Sequence, residues 1–183
     1  MPSRIILGIA GYKQSGKDTA SLLIAERFPG WKIYRMGFAD KGKQEVADLL
    51  GTTLEHLEGQ KKHPLVRHIY QWYMNDYCKP IRGDKVWVEA LTKRVAELPV
   101  GEKSQLILVT DVRFHFEASW VKEQGGYMIL VERYEKTDDP HPSETEIDKI
   151  RDVDIHLPNK GTLLALKREC FWISQYIKER YKV

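Results

Sequence analysis

Apolar residues fall in two rhythms along this chain, and the rhythms alternate. Residues 4–10 (RIILGIA) form a short, β-branched apolar run, the pattern of a strand buried on both faces. In 18–28, Ala20, Leu23, Ile24 and Phe28 recur three to four apart, which predicts a helix with one apolar stripe. Residues 31–38 read as a second strand, and 40–50 as a helix closed by Gly51. Helices are predicted over 65–77 and 86–98, the latter with Asp84 near its start. A strand at 105–110 (QLILVT), a helix at 114–124 ended by Gly125 and Gly126, and strands at 127–131 and 153–157 follow. A helix over 162–181 comes last, with Leu163, Leu166, Cys170, Ile173 and Ile177 on one stripe.

Strands alternating with helices predict an α/β fold, a parallel sheet with helices on both faces. Ligands in such folds sit at the carboxyl ends of the strands. The turns after Ala10, Phe38, Thr110 and Val131 are therefore where chemistry is expected.

Composition narrows the class. The chain has 183 residues, 42% hydrophobic and 30% charged, which suits one globular domain and excludes a disordered chain. A net charge of +3 permits an anionic partner without requiring one. The longest apolar run near the N-terminus, Ile5 to Ala10, is too short for a membrane span and lacks a signal-peptide cleavage pattern, so no membrane partner is expected. Cys78 and Cys170 form no CxxC pair, as expected of a reduced, cytoplasmic protein. His56, His63, His68, His115, His141 and His156 show no metal-ligand spacing, and no G-x-S-x-G elbow is present. A structural zinc site and a hydrolase triad thus lack support.

The turn after the first strand reads Gly11-Tyr12-Lys13-Gln14-Ser15-Gly16-Lys17-Asp18-Thr19, a G-x4-G-K phosphate-loop skeleton. Its glycines let successive amides point inward at phosphate oxygens, and the helix that follows adds its positive dipole end. Lys17 would lie against the β- and γ-phosphates of ATP. The hydroxyl residue that usually contacts Mg²⁺ is replaced by Asp18. Three readings stand side by side: Asp18 holds Mg²⁺ directly or through water, Thr19 supplies the hydroxyl instead, or Asp18 only caps the helix.

Asp111, at the end of the strand QLILVT, is placed like the carboxylate that supports Mg²⁺ in phosphate-loop enzymes, and Arg113 lies two residues on. Residues 60–85 gather Lys61, Lys62, Arg67, Lys79, Arg82 and Lys85 against Asp76 and Asp84, with Tyr70, Trp72, Tyr73 and Tyr77 interleaved. This block suits an anionic nucleotide, a nucleic-acid strand, or simply a solvated helix face with aromatics in the core. Arg133 precedes a polar stretch, 135–143, with the look of a lid.

The segments GYKQSGKDT (11–19), GFADKGKQEVADLLG (37–51), TDVRFHFEASWVKEQGG (110–126), HPSETEID (141–148) and DIHLPNKGT (154–162) together resemble the deoxynucleoside monophosphate kinases of tailed phages, within the P-loop nucleotide-kinase superfamily. The resemblance implies a P-loop kinase-like sheet with a helical nucleotide-binding region at about 38–100 and a lid at about 133–150. It implies that Gly11, Lys13, Ser15, Gly16, Lys17, Asp18 and Thr19 hold the ATP phosphates, and that Asn159 and Gly161 form the turn on the adenine. Asp40, Lys43, Arg67 and Arg82 would serve the acceptor nucleotide. Asp111 and Arg113 would support Mg²⁺ and phosphates with Glu117 nearby, while Arg133 and Glu144 belong to the lid. Two features depart from the family: Lys41-Gly42 stands where Pro-Leu is common, and the 70–85 region matches weakly.

The expected activity is ATP- and Mg²⁺-dependent phosphorylation of a (deoxy)nucleoside 5′-monophosphate. Small nucleotides are the expected partners rather than nucleic acid. A homodimer and a phage-infected host cytoplasm follow by family analogy only. One rival is a kinase with a hydroxyl acceptor, on a nucleoside or a modified base in DNA, with Asp40 as its base. The other is a nucleotide-binding protein without turnover, against which Lys17, Asp111 and the arginines argue.

Overall fold

The structure, a computed structural model, describes residues 3–133 and 146–183. It divides into two compact units, one made of the chain up to Met36 together with 99–183, the other of 37–98.

The first unit is built on β1 (Arg4–Ala10), β2 (Lys32–Met36), β3 (Gln105–Val112), β4 (Tyr127–Glu132) and β5 (Ile155–Pro158). They pair in the order β2-β3-β1-β4-β5, all parallel. β1 is central because every residue after Arg4 is buried, as the unbroken apolar run requires. Its odd positions Ile5, Leu7 and Ile9 join Leu106, Leu108, Ile129 and Val131 under α1 (Lys17–Ala25) and α8 (Leu163–Tyr181). The other face carries α7 (His115–Glu123), held so close that a Cβ on Gly8 would lie 2.8 Å from Val121 Cγ2. The parallel α/β sheet with helices on both faces is thus present. A 3-10 turn at Glu146–Lys149 precedes β5.

The stripe of α8 starts later than its spacing suggests. Leu166, Cys170, Ile173 and Ile177 are buried, but Leu163 is 56% exposed. Leu163 is the first helical residue, beside Thr162, whose hydroxyl accepts from Ala165 N at 3.3 Å and caps the helix in solvent.

The second unit is helical: α2 (Asp40–Leu49), α3 (Leu54–Gly59), α4 (Pro64–Gln71), a π-helix (Trp72–Cys78), α5 (Lys79–Arg82) and α6 (Val86–Ala96). The continuous helix expected over 65–77 instead widens at Trp72 into the π form. The reason is a five-residue rhythm: Tyr73 and Cys78 are buried while Trp72 and Tyr77 are exposed. The wider turn also brings the Trp72 and Tyr77 rings to 5.6 Å. Gly42 of α2 admits Met74 of this turn, whose Sδ would lie 2.7 Å from a Cβ there. The helix α3 was not expected, because Leu57 alone buries an apolar side chain in it and leaves no periodicity to read. Among the described residues, no helix is long and apolar enough to cross a membrane.

Both cysteines are fully buried. Burial pushes the Cys170 thiol up from 9.0 to about 11, Glu169 adding to the rise and Arg27 opposing it. The folded state therefore holds this proton more tightly than the unfolded chain. That contribution to stability is whole below pH 9 and is lost as pH rises through about 11. Burial also raises Tyr70 and Tyr73 to about 12, with loss in the same direction at still higher pH. Denaturant midpoints measured from pH 7 to 11 are expected to hold and then fall above pH 9. A thiol reagent at pH 8 should label neither cysteine until the protein is unfolded. Rapid labelling of the native protein would contradict the burial.

Candidate functional site

The phosphate loop lies between β1 and α1, at the carboxyl end of the central strand. Three residues carry the left-handed backbone that folds it: Gly11 (φ 149°), Gln14 (φ 62°) and Gly16 (φ 95°). At Gly11 a Cβ would stand 2.6 Å from Ser15 Oγ and 2.7 Å from Val131 O. At Gly16 it would collide with Asn159 Nδ2. Both glycines are thus required by space as well as by φ. Gln14 holds its conformation without that freedom, a strain typical of ligand-binding turns.

Lys17 Nζ donates to the carbonyls of Gly11 and Tyr12, both at 2.7 Å, folding the ammonium back over its own loop. Two distant segments converge on the same turn. Arg133 Nη1 donates to Gln14 O at 3.0 Å, and Asn159 Nδ2 donates to Ser15 O at 2.8 Å. Asn159 is itself set by its backbone N–H, which donates to Glu132 O at 2.7 Å. Its side chain thus braces the loop, a contact that sequence spacing did not suggest. Gly161 is exposed just before the cap of α8. Tyr12 O–H donates to Asp148 of the 3-10 turn, tying that turn to the loop.

Ser15 Oγ is buried and has no hydrogen-bond partner among the described residues. A buried hydroxyl left unpaired in this loop fits an acceptor such as a phosphate oxygen. For Mg²⁺, the oxygens of Asp18 and Thr19 are exposed at the start of α1. They match a cation that takes one or two protein oxygens and completes its shell with phosphate and water. Among the described residues no group of three or more His, Cys, Asp or Glu side chains gathers as a metal cage.

Asp18 carries a partner absent from the sequence reading. Arg35 Nη2 lies 2.8 Å from Asp18 Oδ1, reaching from the carboxyl end of β2. The position of Arg35 at a strand end was the one available signal for it.

Asp111 lies inside β3, which runs two residues beyond the expected strand. Gly8 pairs with Val109 and Ala10 with Val112, so β3 holds one extra residue there. The bulge falls on Thr110 and Asp111, directly beside the entry to the phosphate loop, a usual place for a strand to re-aim a side chain. Beyond it, Glu117 Oε2 accepts from the backbone N–H groups of Arg113 (2.7 Å) and Phe114 (3.1 Å). Glu117 is 94% buried by its 6% exposure, so this carboxylate fixes the turn that presents Arg113.

In the second unit the expected acceptor residues are paired. Asp40 Oδ2 accepts from Gly37 N (2.8 Å) and from Arg94 Nη1 (3.0 Å). Lys43 lies 3.2 Å from Glu58. Arg82 Nη1 donates to Glu45 Oε2 at 2.8 Å, and the Tyr73 hydroxyl donates to the same oxygen at 3.0 Å. That hydrogen bond holds the Arg82 proton more firmly still. Arg67 is half-buried on α4. The counter-charges Glu45, Glu58 and Arg94 were not singled out from sequence, since each meets its partner from a different helix, a pairing that a charge count along the chain does not register. Glu144 and most of the expected lid lie outside the described residues, which keep Arg133 and 146–150 of it.

No family model matches the chain. It is 28% identical over 177 residues to a protein of Acanthamoeba polyphaga mimivirus named "Putative deoxynucleotide monophosphate kinase", covering 87% of this chain and 90% of that one. Its fold is similar to that of dephospho-CoA kinase from Campylobacter jejuni (TM-score 0.50, 14% identity, 97% and 99% of the two chains). It is equally similar to a gluconokinase from Sinorhizobium meliloti (TM-score 0.50, 12% identity, 100% and 98%). The fold is the one these solved structures share.

Proposed function

We propose that this protein transfers the γ-phosphoryl group of ATP to a (deoxy)nucleoside 5′-monophosphate. The observation that carries the reading is the phosphate loop itself: left-handed Gly11, Gln14 and Gly16, the orphaned Ser15 hydroxyl, and Arg133 and Asn159 both bonded to the loop. The acceptor class rests on the resemblance and on the viral relative's name.

Phosphoryl transfer through a loose transition state asks the protein for position and positive charge rather than covalent chemistry. An acceptor phosphate oxygen bonds to the γ-phosphorus while the bond to the β–γ bridging oxygen breaks, and ADP leaves with that electron pair. Lys17 would leave its two loop carbonyls and turn to the β- and γ-oxygens. Ser15 and the loop amides would take the remaining lone pairs. Asp18 or Thr19, supported by Asp111, would hold Mg²⁺, which would supply positive charge to the phosphates. Arg113 and Arg133 would meet the charge that develops on the transferring group. Asp40, Lys43, Arg67 and Arg82 would bind the monophosphate. No strong base is needed, because the second pKa of a phosphate monoester is about 6 and the acceptor is mostly ionised at pH 7.

The test is ADP release with ATP and Mg²⁺ against every dNMP, every NMP, nucleosides and single-stranded DNA. Turnover with monophosphates is expected. Turnover only with nucleosides or DNA would move the acceptor to a hydroxyl, and binding of ATP without any turnover would leave a nucleotide-binding protein.

A further inference from the structure

Arg35 stands where the sheet calls for an apolar residue. In the register of β2 on β3, Ile33 pairs with Leu106 and Arg35 with Leu108. Leu106 and Leu108 belong to the core under α1 and α8, and Ile33, half-buried, packs against it. Arg35 continues that face at the carboxyl end of the strand, and there its guanidinium meets Asp18 in the first turn of α1 at 2.8 Å. The side chains are 41% and 82% exposed, so the pair adds little to folding stability. Its effect is to be sought in what the loop binds.

A phosphate loop normally carries a neutral hydroxyl at this position. Asp18 instead brings a negative charge to the helix N-terminus, where it competes with phosphate for the same dipole and repels it. We propose that Arg35 is a positioning residue of the phosphate loop: it cancels the charge of Asp18 and fixes its Oδ1, so that the loop accepts a magnesium-bound triphosphate. The inference rests on the proposed ATP site and specifies how its carboxylate is tolerated. Two residues 17 apart would thus perform together what one hydroxyl does in the usual loop.

The test is a double-mutant cycle read by calorimetric ATP binding over a magnesium series, using the full chain, Arg35→Gln, Asp18→Asn and the double variant. Arg35→Gln is expected to weaken binding by about tenfold and to shift the magnesium dependence to higher concentration. In the Asp18→Asn background the same change should cost less than about twofold, because no charge remains to be cancelled. Arg35→Lys, which keeps the charge, should recover most of the affinity. Thermal unfolding without nucleotide should be alike in all the variants. An equal loss in both backgrounds, or no loss in either, would overturn the role of Arg35 while leaving the ATP site intact. A wild-type protein that binds no ATP would instead remove the proposed function, and this inference with it.

Discussion

Replacing Lys17 by alanine is expected to lower kcat by about a thousandfold or more, a size typical of removing a group aimed at developing charge, while unfolding temperature moves by only a few degrees. The two effects separate because of what the ammonium does in the structure. It donates to Gly11 O and Tyr12 O, both inside the loop it belongs to. Both carbonyls belong to the loop, and the net worth of each such bond to folding is only about 1 kcal/mol. The left-handed turns at Gly11 and Gly16 and the Asn159 brace remain. The triphosphate, in contrast, loses the cation that the motif aims at its β- and γ-oxygens. Steady-state kinetics on the preferred monophosphate and a thermal melt of the same preparation check both halves. A variant that keeps more than about a tenth of wild-type kcat would take Lys17 out of the transition state. A variant that no longer folds would show the lysine to be structural, and Lys17→Met, which keeps the apolar stem, would then be the cleaner probe.

The asymmetry between Lys17 and its setting also shows what a sequence can carry. β1, the phosphate loop and α1 were legible because their signals are local: an apolar run, two glycines at fixed spacing, a stripe of period 3.6. The bulge at Asp111 was not, since it arises from unequal residue counts on two strands about a hundred positions apart. The same holds for Arg35 on Asp18 and Asn159 on Ser15, each a contact closed only by the crossover of the sheet. The second unit was read least well. Its basic block left a nucleotide pocket, a nucleic-acid strand and a solvated helix face all open, because the acids that meet Arg82 and Lys61, Glu45 and Glu58, lie outside that block. The π-helix was hidden because Trp72, Tyr73, Tyr77 and Cys78 fit a five-residue rhythm that an ordinary helical template does not contain.

Glu117 is the position where fold and proposed chemistry are expected to fail together. Glu117→Ala should cost about 2–4 kcal/mol of stability, within the range for breaking a buried hydrogen-bonded carboxylate. Its Oε2 accepts from two backbone N–H groups, at 2.7 and 3.1 Å, and alanine leaves both donors without it. At 6% exposure there is little room for water to take its place. Those donors belong to Arg113 and Phe114, the turn between β3 and α7, so the loss falls on the segment that presents Arg113. Glu117→Gln keeps an acceptor oxygen but loses its charge, and should cost about 1 kcal/mol, since charge-assisted bonds are roughly twice as strong as neutral ones. Urea denaturation gives the two energies. Hydrogen exchange at the Arg113 and Phe114 amides locates them, with protection expected to collapse in the alanine variant before the strands of the sheet open. If alanine unfolds at the wild-type urea concentration and those amides stay protected, the carboxylate is not what holds the turn. If the turn loosens while turnover persists, Arg113 has no part in the transfer and the catalytic charge resides in the phosphate loop and Arg133.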